Sequence, residues 1–214
     1  MASKSKSSKI WLERQHSDYY SLQAKQQGYR SRAAFKLLEI QQKDKLIKKG
    51  MVIIDLGAAP GGWSQVVSEI LAGTGQLIAL DVLPMEPIAG ADVVQGDFQN
   101  QSVFESLKDQ LKGKPVDLVI SDMAPNLSGI TCIDQARSTE LAELAVSFAE
   151  SVLVEGGALS VKVFQGEGFQ PLWSMLKEQF HQVVLRKPKS SRSESREVYL
   201  LAKGFIPKTK RLTF

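Results

Sequence analysis

The sequence predicts an α/β domain: a seven-stranded, mainly parallel sheet with one antiparallel strand and helices on both faces. Seven short apolar runs alternate with helix-length stretches from residue 51 onward. The runs are nearly continuous rather than alternating, as expected of parallel strands covered on both sides. Only residues 187–196 separate the last two runs, too few for a crossover helix, so these two pair as an antiparallel hairpin at one end of the sheet.

In chain order, 17–27 and 31–42 read as helices. The second carries Ala34, Leu37, Leu38 and Ile40 on its apolar side, with Arg30, Arg32, Lys36 and Lys43 scattered around it. Strands follow at 51–56, 76–81, 92–95, 116–122, 158–164, 181–186 and 197–202, and helices near 63–71, 101–112, 134–154 and 169–179. The Ser/Lys-rich residues 1–10 read as a disordered basic tail. Residues 11–204 then form a single domain, of which 11–50 are a basic helical appendage, and 205–214 form a second basic tail.

A chain of 214 residues buries enough surface to hold a core without staples, and its single cysteine, Cys132, points to a reducing compartment. The longest stretch without a charged residue is 13 residues, 56–68, and it is rich in Gly, Pro and Ser, so no membrane span is expected. The expectation is a soluble, cytoplasmic, monomeric protein that needs no metal. Its charges are segregated. Residues 1–50 hold 12 Lys+Arg against 4 Asp+Glu, residues 51–180 hold 6 against 17, and residues 181–214 hold 9 against 2. An acidic body with basic ends suits a polyanion gripped through clustered Lys and Arg.

Ligands of open α/β sheets bind at the carboxyl ends of the strands. There the sequence delivers Asp55, Asp81, Asp97, Asp122 and Lys162 from five consecutive strands. Ordinary turn aspartates explain any one of these and explain the set poorly. The first strand runs into Asp55-Leu-Gly-Ala-Ala-Pro-Gly-Gly-Trp63, whose glycines permit a tight turn and close approach of a ligand. This is not G-x-G-x-x-G, which argues against a pyrophosphate and a nicotinamide dehydrogenase and for a nucleoside without phosphates. Asp81 is placed to accept from ribose hydroxyls, and Asp97, beside Phe98, to take an adenine amino group. Together they describe an adenosine pocket, which S-adenosylmethionine fits. Lys162, inside a strand expected to be buried, demands a partner or a function, with Asp122 and Glu197 as its candidate carboxylates.

The blocks RSRAAFKLLEI, DLGAAPGGWSQVV, SDMAPNLSG, VKVFQGEGF and SRSESREVYL, in this order, resemble the FtsJ/RrmJ family of S-adenosylmethionine-dependent ribose 2′-O-methyltransferases. The resemblance runs from about Trp11 to Ala202. It implies a Rossmann-like methyltransferase fold, a catalytic tetrad at Lys36, Asp122, Lys162 and Glu197, and cofactor contacts at Gly61, Trp63, Asp81, Asp97 and Asp122. It points to the branch acting on a uridine in the A-loop of large-subunit ribosomal RNA, in the context of the ribosomal subunit. The implied reaction is in-line displacement by a ribose 2′-oxygen, with Lys162 as the base if its amine is neutral or as an orienting cation if it is charged. Ribosomal RNA would then be held by Lys4, Lys6, Lys9, Arg30 and Arg32, and by Arg186, Lys187, Lys189, Arg192 and Arg196. Trp63 and Phe164 are candidates for stacking on bases or on the adenine, Phe164 more readily for core packing. The rival readings are a transfer-RNA or messenger-cap methyltransferase and a non-catalytic RNA-binding assembly factor.

Overall fold

The computed structural model describes residues 19–126, 128–192 and 195–211. Helix α1 is described over 19–26, followed by α2 (Ala33–Asp44), β1 (Val52–Leu56), α3 (Gly62–Leu71), β2 (Gln76–Asp81), β3 (Asp92–Gln95) and α4 (Gln101–Leu111). The chain continues through β4 (Val116–Ser121), α5 (Thr131–Val152), β5 (Leu153–Phe164), α6 (Phe169–Gln179), β6 (Phe180–Arg186), β7 (Glu197–Phe205) and the single turn α7 (Lys208–Arg211). The tail at 1–10 and Lys4, Lys6 and Lys9 lie outside the described residues.

One sheet takes all seven strands in the order β3-β2-β1-β4-β5-β7-β6. Only β7 runs against its neighbours, pairing antiparallel with both β5 and β6. The expected hairpin therefore forms, and its second strand inserts inside the sheet so that β6 becomes the edge. Every residue of β1 is buried, in keeping with its unbroken apolar run.

Alternation along the strands sorts two cores. Ile53, Leu118, Ile120, Tyr199 and Leu201 face α2 and α3, where they meet Ala34, Leu37, Trp63 and Val66. Ile54, Leu56, Leu80, Val119, Leu159 and Val161 face Leu107, Phe148, Leu172 and Leu176 on α4, α5 and α6. Helix α1 is tied to α2 by the rings of Tyr20 and Phe35, 5.4 Å apart. Strand β5 starts at Leu153, earlier than the alternation at 158–164 suggests. Pairing with β4 begins at Val116↔Leu153 and shifts register before Leu118↔Ala158, and the Gly156–Gly157 pair that breaks the apolar pattern sits inside this irregular stretch. Phe205 closes β7 against Phe180, with ring centroids 5.4 Å apart, so residue 205 is packed down. Beyond it, Lys208 and Arg211 pair with Glu150.

Candidate active site

Strand order reverses between β1 and β4, and the crevice at the carboxyl ends of such strands is where α/β sheets place ligands. The chain leaves β1 through Gly57, at φ 71°, and reaches α3 through Gly61, at φ 110°. A Cβ on Gly57 would collide with the Met123 side chain and be strained at this positive φ, so glycine lets this loop pass the loop after β4. Asp81 fixes the turn: its carboxylate accepts from the amides of Ala59, at 2.9 Å, and Leu83, at 2.8 Å. Gly57, Asp81, Leu83, Asp97, Phe98, Asp122, Met123 and Asn126 line a cleft of about 630 Å³, within the range typical of small-molecule sites. Asp97 is exposed at its rim and uses Oδ1 to accept from the Gln99 amide at 2.9 Å.

Trp63 is placed differently. It is 3% exposed, its indole N–H donates to Ala33 O at 2.8 Å, and its ring lies 5.5 Å from that of Tyr199. Its ring joins α3 to α2 and β7, and a small cavity shared with Gly57, Gly62 and Asp122 reaches it.

Beside the cleft four charged side chains from four elements converge. Period-two alternation puts Val161 and Val163 of β5 in one core and turns Lys162 to the opposite face, towards α2. Antiparallel pairing sets Lys162 opposite Tyr199 and Phe164 opposite Glu197, so Glu197 and Tyr199, two apart, share the face of Lys162. Lys36 comes down from α2, and Asp122 follows the last residue of β4. Lys162 Nζ is 2.9 Å from Asp122 Oδ1 and also donates to its main-chain oxygen. Lys36 Nζ lies 2.6 Å from Glu197 Oε1 and 3.8 Å from Asp122 Oδ1. The Tyr199 hydroxyl donates to Asp122 Oδ1 at 2.6 Å. Sequence reading missed Tyr199, although its two-residue spacing from Glu197 and its place opposite Lys162 mark it.

Burial works against ionisation of Asp122. The charges of Lys162 and Lys36, with the hydrogen bond from Tyr199, more than offset it and hold the carboxyl below its usual range. Burial, then the negative charges of Asp122 and Glu197, push the Tyr199 phenol well above its usual value, so it stays a donor. Burial pushes Asp55 up to about 7, with Asp122 and Asp81 adding to the shift and the hydrogen bond from Ser64 Oγ, at 2.6 Å, opposing it.

The cations expected to meet a polyanion divide into two groups. Arg30 does not present itself to one: its guanidinium donates to the carbonyls of Pro60 (3.3 Å), Glu86 (2.6 Å) and Pro87 (2.7 Å), bolting the glycine loop to the segment before β3. Arg186 is likewise committed, gripping Asp44 with two bonds of 2.7 and 2.8 Å. Arg32 donates to Ser190 O at 2.6 Å. Lys187, Lys189, Arg192 and Arg196 are exposed, and among them Lys187 donates to Ser195 O at 2.6 Å. No described helix is long and apolar enough to cross a membrane.

This sheet order, its antiparallel strand and the site at the β1/β4 crevice define a Rossmann-like methyltransferase fold. A Plasmodium falciparum structure assigned as a ribosomal RNA methyltransferase superposes with a TM-score of 0.76 at 34% identity, covering 84% of this chain and all (100%) of that one. The chain belongs to the FtsJ-like methyltransferase family, whose pattern matches residues 29–205. Two similar proteins bear the name Ribosomal RNA large subunit methyltransferase E. That of Alkalilimnicola ehrlichii is 55% identical over 198 residues, 92% of this chain and 95% of the relative. That of Dichelobacter nodosus is 54% identical over 204 residues, 95% and 97% of the two chains.

Proposed function

We propose that this protein transfers the methyl group of S-adenosylmethionine to the ribose 2′-hydroxyl of a uridine in the A-loop of large-subunit ribosomal RNA, with the ribosomal subunit as substrate. The observation that carries this reading is the convergence of Lys36, Asp122, Lys162 and Glu197 beside a cleft walled by Asp81 and Asp97. The names of the relatives support the choice of RNA.

The cleft suits the cofactor. Gly57 leaves no Cβ in the passage between the loops, Asp81 and Asp97 offer carboxylate oxygens to a ribose and to an adenine amino group, and Phe98 supplies an apolar wall. When bound, the cofactor supplies a methyl group on a positively charged sulfur, already activated for displacement. The chain's own task is alignment and the handling of one proton. As a general base Lys162 must be the free amine: its two N–H bonds then stay on the main-chain and side-chain oxygens of Asp122, and its one lone pair takes the 2′-hydroxyl proton as the oxygen bonds to the methyl carbon and the carbon–sulfur bond breaks. Asp122 and Tyr199 hold that lysine, and the Lys36–Glu197 pair closes the far side. Lys187, Lys189, Arg192 and Arg196 supply the RNA-backbone contacts.

The test is incubation of the purified chain with methyl-labelled S-adenosylmethionine and, separately, large ribosomal subunits, naked ribosomal RNA and transfer RNA, followed by nucleoside analysis. Label recovered as 2′-O-methyluridine from the subunits is expected. Label in transfer RNA, on a base, or nowhere would overturn the reading.

A further inference from the structure

The basic segment between β6 and β7 is bolted to α2 by contacts on both sides of Lys36. Glu39 accepts two main-chain amides from that segment, Lys189 N at 2.6 Å and Ser190 N at 2.9 Å. Arg32, at the start of α2, donates to Ser190 O at 2.6 Å. Arg32, Lys36 and Glu39 are spaced four and three residues apart, so they share one stripe of the helix. The turn they grip is seated rather than loose: Ser190 is fully buried and Ser191 N donates to Pro188 O at 3.1 Å. From this turn the chain leads to Glu197, whose amide is fixed by Ser195 Oγ at 3.1 Å and whose carboxylate meets Lys36.

We propose that Glu39 is a positioning residue for the transfer reaction: by taking both amides it clamps α2 to the β6–β7 segment and keeps Lys36 in register with Glu197. A rotation of α2 that withdrew Lys36 would have to break this grip one turn away, because residues on one stripe move together. Lys189, which supplies one of the two amides, carries its own side chain into solvent. A phosphate held there is thus attached to the clamp itself, and RNA binding tightens the pair that the chemistry uses. This last point rests on the function proposed above, whereas the clamp rests on geometry alone.

The test compares the parent with Glu39→Gln, Glu39→Ala, Glu197→Ala and the Glu39→Ala/Glu197→Ala double variant. It reads kcat on ribosomal subunits, the Kd for S-adenosylmethionine, and hydrogen exchange of the peptide covering residues 195–199. Glu39→Ala should lower kcat by roughly 10- to 100-fold, the scale set by small misplacements of reacting groups, with cofactor Kd within about twofold. Glu39→Gln, which keeps one acceptor, should fall between. In the Glu197→Ala background the Glu39 substitution should cost nothing more, because it acts through that carboxylate, whereas a merely structural role adds the same factor in both backgrounds. Additive losses, or an unchanged kcat, would overturn the proposal. If the parent methylates none of the RNAs, the proposed function fails, and the clamp is then decided by exchange: faster exchange at 195–199 in Glu39→Ala supports it and unchanged exchange refutes it.

Discussion

Asp55 and Asp122 occupy the carboxyl ends of neighbouring strands, β1 and β4, on either side of the crevice, yet their surroundings push them in opposite directions. Asp55 is enclosed by apolar strand and the glycine loop with one hydroxyl, that of Ser64, to receive it, and burial raises it to about 7. Asp122 is half-buried, and two lysines and a phenol converge on it and hold it ionised. None of the three groups that stabilise Asp122 comes from β1 through β4: Lys36 belongs to α2, Lys162 to β5 and Tyr199 to β7. In the function proposed above, the cofactor side of the sheet is thus shaped by loops and a neutral-leaning carboxyl, and the side proposed to be catalytic by a charged network assembled from distant segments. Pairs of acids whose environments drive them apart mark a division of labour within a site.

The sharpest way to break this comparison is Lys162→Ala. Removal of the proposed base should cost about 10²- to 10⁴-fold in turnover, measured with labelled cofactor on ribosomal subunits, while cofactor affinity, a property of the other side, stays within a few-fold. Loss of both together would dissolve the division.

Stability against pH probes the two aspartates directly. Asp55 is raised in the folded state, so folding retains a proton that the unfolded chain sheds, and stability falls as pH rises from about 4 to about 7. Asp55→Asn keeps an acceptor for Ser64 and removes that penalty. It should stabilise the protein at pH 8 by up to about 4 kcal/mol and by nothing at pH 4, as read from urea unfolding. Asp122 has the opposite sign: its contribution is present above the usual carboxylate range and is lost as acid protonates it below that range. Asp122→Asn should therefore destabilise at pH 8 and converge on the parent in acid.

Smaller effects sort the cations. Arg30→Ala should unbolt the glycine loop and weaken cofactor binding by about tenfold, as expected for loss of charge-assisted hydrogen bonds, with the salt dependence of RNA binding unchanged. Lys189→Ala and Arg192→Ala should each leave cofactor binding alone and reduce the salt slope of RNA binding by about 1. The reverse pattern would return Arg30 to the RNA surface.

Most elements were legible in the sequence because their signals are local. The run MVIIDL can scarcely be anything but a buried strand, and the glycines at 57 and 61 announce a turn whatever surrounds them. The tetrad positions were legible through a family resemblance, and the structure brings all four side chains together. Trp63, Arg30 and Arg186 have tertiary partners that were not legible. Each has a residue type suited to an exposed role, and each is occupied by a partner at least 30 positions away: Ala33 for Trp63, Glu86 and Pro87 for Arg30, and Asp44 for Arg186. Glu39 carries no local signal, since nothing in its neighbourhood names the two amides 150 and 151 residues on that it receives.

Residue type and periodicity were enough to set which stretches become strands and helices, and to set the acids and the lysine that crowd the strand ends, because those properties depend on neighbours a few bonds away. Packing had to set which charges are spent on carbonyls and which remain for a ligand, why Asp55 and Asp122 titrate apart, and how Tyr199 comes to brace the Lys162–Asp122 pair. These follow from the insertion of β7 between β5 and β6 and from the seating of α2 over that face. Contacts between segments so far apart in the chain exist only once the whole sheet has closed around them.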